Sequence, residues 1–374
     1  RDYAVTGVQT CALPIFFPFG KEPSGLAVIP IAGWPEHPST EPGLAVLIER
    51  AVSEADAMAG HKTSQVWFSL SGNSVRYRLV RGLVQTAATD RLVSRSDLER
   101  AIAAAVPGRA KVLHQLLIST ILDGREILED PTGQAGERLE VNIQLVEAEG
   151  GQPALLQRMA AHAHLKTEGF VAGSLATVSV LTPAEREIGT AVLDLGATHT
   201  TAAVCLRGRV RHLGGIGLGS LHLAKDLAVV LGLPLAKAER IKREVLAPDT
   251  DQDQLAAPAG RVIAARLGET LELIRAELDT AGWAGRLPGG YVLTGGGAPP
   301  ESLFDLAREA LGAPVRLGLP SLGPSQGLLA GPAYAVLLGL HAVVHAADFV
   351  AKDGFMPKGG SRWRSWFPQR RLPI

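Results

Sequence analysis

The sequence predicts an α/β protein of two lobes with an inserted α+β subdomain. Three observations carry that class. Strand-like apolar runs alternate with helical patterns over 374 residues, about twice the length of a common single domain. Between residues 85 and 166 the pattern changes to that of a small α+β module. Beyond it, two apolar runs, GTAVLDLG and YVLTGGG, each end in a Gly-rich turn. A hydrophobic content of 46% against 20% charged residues excludes disorder throughout. The 37 Lys+Arg matched by 37 Asp+Glu exclude a strongly basic nucleic-acid binder. No period of 20 to 50 residues recurs, so a solenoid or propeller is not expected.

The elements follow in order. Residues 1–16, RDYAVTGVQTCALPIF, lack an initiating Met and the layout of a secretory signal, and resemble translated sequencing-adapter sequence. They are set aside as non-native, the alternative being a first strand. With Cys11 in that segment and Cys205 elsewhere there is no disulfide framework, which points to a reducing compartment. The run Gly25–Gly33 precedes a Pro-rich turn and a helix over Pro42–Ala59. VWFSLSG (Val66–Gly72) and VRYRLVRGLV (Val75–Val84) alternate like strands, and SRSDLERAIAAAV opens like a helix capped by Ser94 or Ser96. Strands are predicted at Val112–Leu122 and Leu139–Ala148, then helices at Pro153–Leu165 and Phe170–Leu181. Strands follow at Gly189–Gly196, at Thr201–Gly208 and over RVRHLGGIGLG. Helices are expected at Ser220–Leu231, Leu235–Leu246 and Arg261–Thr280, with the acidic loop DTDQDQ before the last. The strand Tyr291–Gly297, a helix over Pro300–Leu311 and a final helix from about Pro332 complete the chain. The stretch Tyr334–Val350 carries His341, His345 and Asp348, so it reads as a buried helix and not a membrane span.

DLGATHTT (Asp194–Thr201) and LTGGGAPP (Leu293–Pro300) follow apolar strands, where backbone N–H groups can approach phosphate without Cβ obstruction. Neither is a GxxxxGK[ST] loop, and GGIGLGS lacks the later acidic residue of a dinucleotide site. One such turn alone reads equally well as a tight turn. Two of them flanking a long helical section are harder to read as tight turns alone. No Ser/His/Asp or Cys/His arrangement is found, and no residue is assigned as catalytic. After Asp353 there is no acidic residue, while Lys358, Arg362, Arg364, Arg370 and Arg371 supply positive charge. Trp363, Trp366 and Phe367 stand at i, i+3 and i+4 beside Arg362 and Arg364, a helical face suited to an anionic bilayer interface. The other reading is a tail that docks its aromatics on the body.

DLGATHTT, the Gly217–Ala228 stretch, AERIK (Ala238–Lys242), VLTGGGAPPESL and GPAYAVLLGL resemble, in order, the nucleotide-site motifs of the actin-like ATPases. With Glu54–Val75, Glu129–Ala148 and Leu181–Gly196 added, the sequence is similar to the bacterial FtsA cell-division family. That resemblance implies an actin-like (ribonuclease H-like) fold. It would comprise a first lobe at 17–84 and 167–212, the insert at 85–166 and a second lobe at 213–332. A helix at 333–352 would return to the first lobe, and a linker with an amphipathic membrane-targeting tail would occupy 353–374.

It also implies ATP and Mg2+ as ligands. Asp194 would face the metal and phosphates, with Gly196, Ala197, Thr198 and Thr200 offering backbone N–H groups and a hydroxyl. Gly217, Gly295, Gly296 and Gly297 would complete the phosphate and adenosine contacts, and Glu239 and Lys242 would meet the ribose and adenine. The alternative for Glu239 and Lys242 is a surface ion pair. Three departures point to a weak ATPase at most, with nucleotide as a conformational ligand. The turn reads GATH where many relatives read GGGT, Ser174 stands where a carboxylate is common, and the first phosphate hairpin expected before Gly25 is not found. The implied setting is the cytoplasmic face of the inner membrane at the division septum. The implied partners are FtsZ, further copies of the chain in a head-to-tail polymer, downstream division proteins and anionic lipid, with no nucleic acid. The alternatives are a small-molecule kinase or exopolyphosphatase of the same superfold, and an actin-like pilus-assembly protein.

Overall fold

The computed structural model describes residues 10–11, 29–30, 41–60, 62–87, 91–106, 112–127, 130–320 and 331–345. Two units divide the chain, one ending at Val75 and resuming over Glu149–Ala342, the other formed by Arg76–Ala148 with the residues from Val343.

In the first unit, β1 (Thr10–Cys11) pairs antiparallel with β2 (Ile29–Pro30), so the segment set aside as non-native contributes two residues to a short ladder. The helix α1 (Glu41–Ala59) carries Ile48, Ala51, Val52 and Ala55 at intervals of three and four, which makes one apolar stripe. The strand β3 (Gln65–Leu70) alternates half-buried and buried residues.

The chain then enters the second unit. β4 (Val75–Gln85) is followed by α2 (Arg95–Ala105), whose cap is Ser94: its hydroxyl accepts the Asp97 N–H while Asp97 returns a bond to the Ser94 N–H. β5 (Val112–Leu122), β6 (Arg125–Ile127) and β7 (Arg138–Ala148) complete a sheet of order β4-β7-β5-β6. Alternate residues of β7, Leu139, Val141, Ile143 and Leu145, share a core with Ala101 and Ala105 of α2.

Returning to the first unit, α3 (Gln152–His162) packs Met159 and Ala160 against the α1 stripe and Val66 and Phe68 of β3. The insert is expected at 85–166, while the compact second unit spans Arg76–Ala148 and α3 shares the core of α1 and β3. β8 (Lys166–Ala172) runs parallel to β3, with Phe170 stacked on Phe68 at 5.9 Å. The helix expected from Phe170 begins instead at Gly173. Only α4 (Gly173–Ala176) and a 3-10 turn to Val180 are helical, since the β3 ladder claims the backbone up to Ala172. α5 (Pro183–Ile188) is capped by Thr182 and Glu185.

Next come β9 (Thr190–Leu195), β10 (Thr200–Leu206), β11 (Arg209–Ile216), α6 (Ser220–Leu231) and α7 (Leu235–Val245). The expected acidic loop holds α8 (Gln252–Ala256), capped by Asp251, and α9 (Pro258–Thr280) follows. β12 (Tyr291–Thr294), α10 (Phe304–Leu311), β13 (Val315–Leu317) and α11 (Ala335–His345) end the described chain. One sheet, ordered β11-β10-β9-β12-β13, holds all five strands. The expected lobe boundary at 212/213 falls inside β11 and crosses this continuous ladder. α9 supplies Leu267, Leu271, Ile274 and Leu278 to the sheet core, all essentially inaccessible. Each contributes roughly 1.5–3 kcal/mol by burial. Among the described residues, no helix is long and apolar enough to cross a membrane.

Candidate functional site

The site starts from a register. β9 and β12 are parallel neighbours, and their last rung pairs Asp194 with Thr294. β12 ends at this rung and β9 one residue later, at the carboxyl edge of the sheet, where open α/β sheets place their ligands. Asp194 is 9% exposed, and burial alone pushes its carboxyl up to about 6. Across the antiparallel ladder from Asp194 stands Thr201, buried, with a hydroxyl that has no hydrogen-bond partner. Thr201 was not singled out from sequence, where its only signal is the last Thr of DLGATHTT.

Gly295 follows Thr294 with φ +92°, and a Cβ there would lie 2.2 Å from Asp194 Oδ1 and 2.7 Å from the Leu195 carbonyl oxygen. Only glycine fits. The Gly297 N–H donates to the Leu195 carbonyl at 2.8 Å, and Gly296 lies half-buried between these two glycines. The two Gly-rich turns are thus interlocked around the Asp194 carboxyl.

The N-terminus of α6 joins them. Gly196 closes its turn by donating to the His199 carbonyl at 3.0 Å. The carbonyls of Gly196 and Ala197 accept the Ser220 and Leu221 N–H groups at 2.9 and 2.8 Å. A Cβ at Gly219 would meet these same two carbonyl oxygens at 2.7 Å, whereas nothing lies within 4 Å of one at Gly217. Gly219, which was not singled out from sequence, is therefore the glycine that this junction itself requires. The Thr200 hydroxyl donates to the Leu218 carbonyl at 2.9 Å, which ties the turn to the loop before α6.

Thr198 and His199 form the outer part of the turn. His199 Nδ1 lies 2.9 Å from Thr198 Oγ1, and Nε2 lies 2.8 Å from Asn73 Oδ1. Burial and the neighbouring His222 hold the imidazole below its usual pKa, so it is neutral at pH 7. Asn73 Oδ1 is an acceptor, so Nε2 carries the hydrogen and Nδ1 accepts from the Thr198 hydroxyl. Ser174 is buried, and its carbonyl accepts the Thr177 hydroxyl at 2.8 Å.

Glu239 and Lys242 form an ion pair of 2.8 Å on α7, with Arg243 Nε 3.2 Å from the other Glu239 oxygen. Lys242 is 3% exposed, so this is not the solvated pair that three-residue spacing also allows. Burial pushes its ammonium pKa down and the Glu239 charge opposes that shift. The pair flanks Ala238 and Val245, which pack with Leu223 and Leu227 of α6. Arg362, Trp363, Arg364, Trp366 and Phe367 lie outside the described residues.

Two family models match the chain: "Cell division protein FtsA" over residues 191–339 and "SHS2 domain inserted in FTSA" over residues 72–147. Over 317 residues the sequence is 30% identical to the cell division protein FtsA of Pseudomonas aeruginosa, covering 78% of this chain and 76% of that relative. The chain belongs to the FtsA family. Its Rhizobium meliloti relative is 31% identical over 333 residues, covering 81% of this chain and 74% of that one. The first family match contains both interlocked turns, and the second coincides closely with the Arg76–Ala148 unit. The solved "PilM-PilN type IV pilus biogenesis complex" superposes with a TM-score of 0.64 at 20% identity, covering 86% of this chain and 91% of that one. The shared fold is actin-like.

Proposed function

We propose that this FtsA-family cell-division protein binds ATP with Mg2+ at the carboxyl edge of the five-stranded sheet, polymerises head to tail at the inner membrane and tethers FtsZ to it. Family membership supports the division role. The observation that carries the nucleotide reading is the Asp194 carboxyl enclosed by two glycine turns. A buried carboxyl beside the unpartnered Thr201 hydroxyl is an all-oxygen donor set of the kind that hard cations take. Mg2+ there would supply positive charge to neutralise phosphate. Asp194 would hold it, directly or through water, while the turns at Gly196–Thr198 and Gly295–Gly297 would leave room for phosphate oxygens. Glu239 and Lys242 are the proposed ribose and adenine contacts. Nucleotide acts mainly as a conformational ligand, since Ser174, which offers no general base, stands where the family resemblance expects a carboxylate.

The membrane part of the proposal rests on the Arg362–Phe367 sequence pattern, whose short length makes one copy a weak anchor and a polymer a strong one. Co-pelleting with FtsZ and anionic liposomes tests it. The full chain carries FtsZ into the pellet, and a chain truncated after Asp353 leaves both proteins in the supernatant. Equal pelleting of the two chains refutes the tether.

A further inference from the structure

We infer that His199 is an intramolecular latch on the phosphate turn, closed on Asn73 in the unliganded chain and opened by the phosphates of a bound nucleotide. The inference rests on the nucleotide reading above and adds a control that belongs to this chain's own GATH turn.

The two turns that His199 joins come from different parts of the first unit. One follows β3, where Gly72–Ser74 form a single 3-10 turn, and the other follows β9. His199 and Asn73 are 126 positions apart, so their bond ties these turns together across the fold. Gly72 has φ +64°, and a Cβ there would lie 2.6 Å from His199 Nδ1, so the ring is seated against the backbone of the β3 turn. Thr198 supports the ring from its own turn and, by donating to Nδ1, fixes the tautomer that leaves the hydrogen on Nε2.

The chemistry is a competition for that one hydrogen. Nε2–H serves a single strong acceptor at a time. In the structure the acceptor is the amide oxygen of Asn73, a neutral and solvent-exposed side chain. A phosphate oxygen carried on the Gly196–Thr198 turn is a charged, stronger acceptor and takes the hydrogen in exchange. The ligand must break the Asn73 bond before it gains the His199 donor, so the latch lowers apparent affinity by the worth of that bond. A net hydrogen bond corresponds to about twofold to tenfold in an equilibrium constant.

The test is a titration of the full chain with ATP and Mg2+. Asn73→Ala removes the competing acceptor and keeps the ring, and it is expected to tighten ATP binding by about twofold to tenfold. His199→Ala removes both the latch and the donor, so it binds more weakly than Asn73→Ala. Adding Asn73→Ala to His199→Ala then changes nothing further. Unaltered thermal unfolding of Asn73→Ala establishes that the fold is intact, as its exposed position leads one to expect. Parent and Asn73→Ala binding with equal affinity, or Asn73→Ala binding more weakly, overturns the latch and leaves the nucleotide site standing. If neither binds ATP, the nucleotide reading falls and the latch falls with it.

Discussion

Replacing Asp194 by Asn measures what the site stores in the unliganded chain. Burial raises this carboxyl from 3.8 to about 6. The folded chain therefore holds a proton between those values that the unfolded chain has already released. Stability is undiminished below the lower value, declines as pH rises through the window, and is fully penalised above the upper one. Two pKa units at about 1.4 kcal/mol each make the penalty about 3 kcal/mol at neutral pH. Asn has nearly the same shape and cannot ionise. Urea unfolding of the full chain should thus find Asp194→Asn more stable than the parent by about 3 kcal/mol at pH 7.5, with the gap closing towards pH 4. The same substitution should abolish any stabilisation by ATP with Mg2+, because the carboxylate that would hold the cation is gone. A variant no more stable than the parent at pH 7.5, or a gap independent of pH, refutes the claim that an uncompensated carboxyl sits between the glycine turns.

Gly295→Ala forces a Cβ into the Asp194 carboxyl at a positive φ and should cost more than about 2 kcal/mol in thermal unfolding. Gly217→Ala, with open space around it, should stay within about 0.5 kcal/mol, and equal effects at the two sites would contradict the glycine assignments. In the insert, burial holds the His114 imidazole down at about 3. Its ring-proton resonance should stay flat from pH 8 to 5, and a midpoint near 6.5 would refute that burial. Since the unfolded chain binds this proton first, the insert loses stability as pH falls from about 6.5 towards 3.

What could be read from sequence was what local chemistry encodes. α6 was legible from end to end because Gly219 and Gly232 bracket an unbroken apolar pattern. The strand–glycine-turn units at Asp194 and Gly295 were legible for the same reason. Their meeting was not, because the register that pairs Asp194 with Thr294 joins segments a hundred residues apart, and no local pattern fixes a parallel rung. β8 was missed on the same ground: KTEGFVA has no clean alternation, and β3 supplies its ladder. Spacing placed Glu239 and Lys242 on one helical face but could not tell that Lys242 is buried, which follows from how α7 packs. In GIGLG the choice between Gly217 and Gly219 depends on where the Gly196 and Ala197 carbonyls point, a fact of tertiary structure.

The α6 junction also has a mechanical consequence. Its first two N–H groups are spent on the carbonyls of the Gly196–Ala197 turn, and Gly219 leaves no slack between them. The helix is therefore fixed to the turn at its N-terminus, while Leu223 and Leu227 hold its flank against α7 and α9. Twelve residues at 1.5 Å each put its C-terminal end about 18 Å away, where Val229 and Val230 face solvent. A shift of the turn would therefore have to carry α6 with its packed neighbours, and it would reach the surface at that exposed apolar tip.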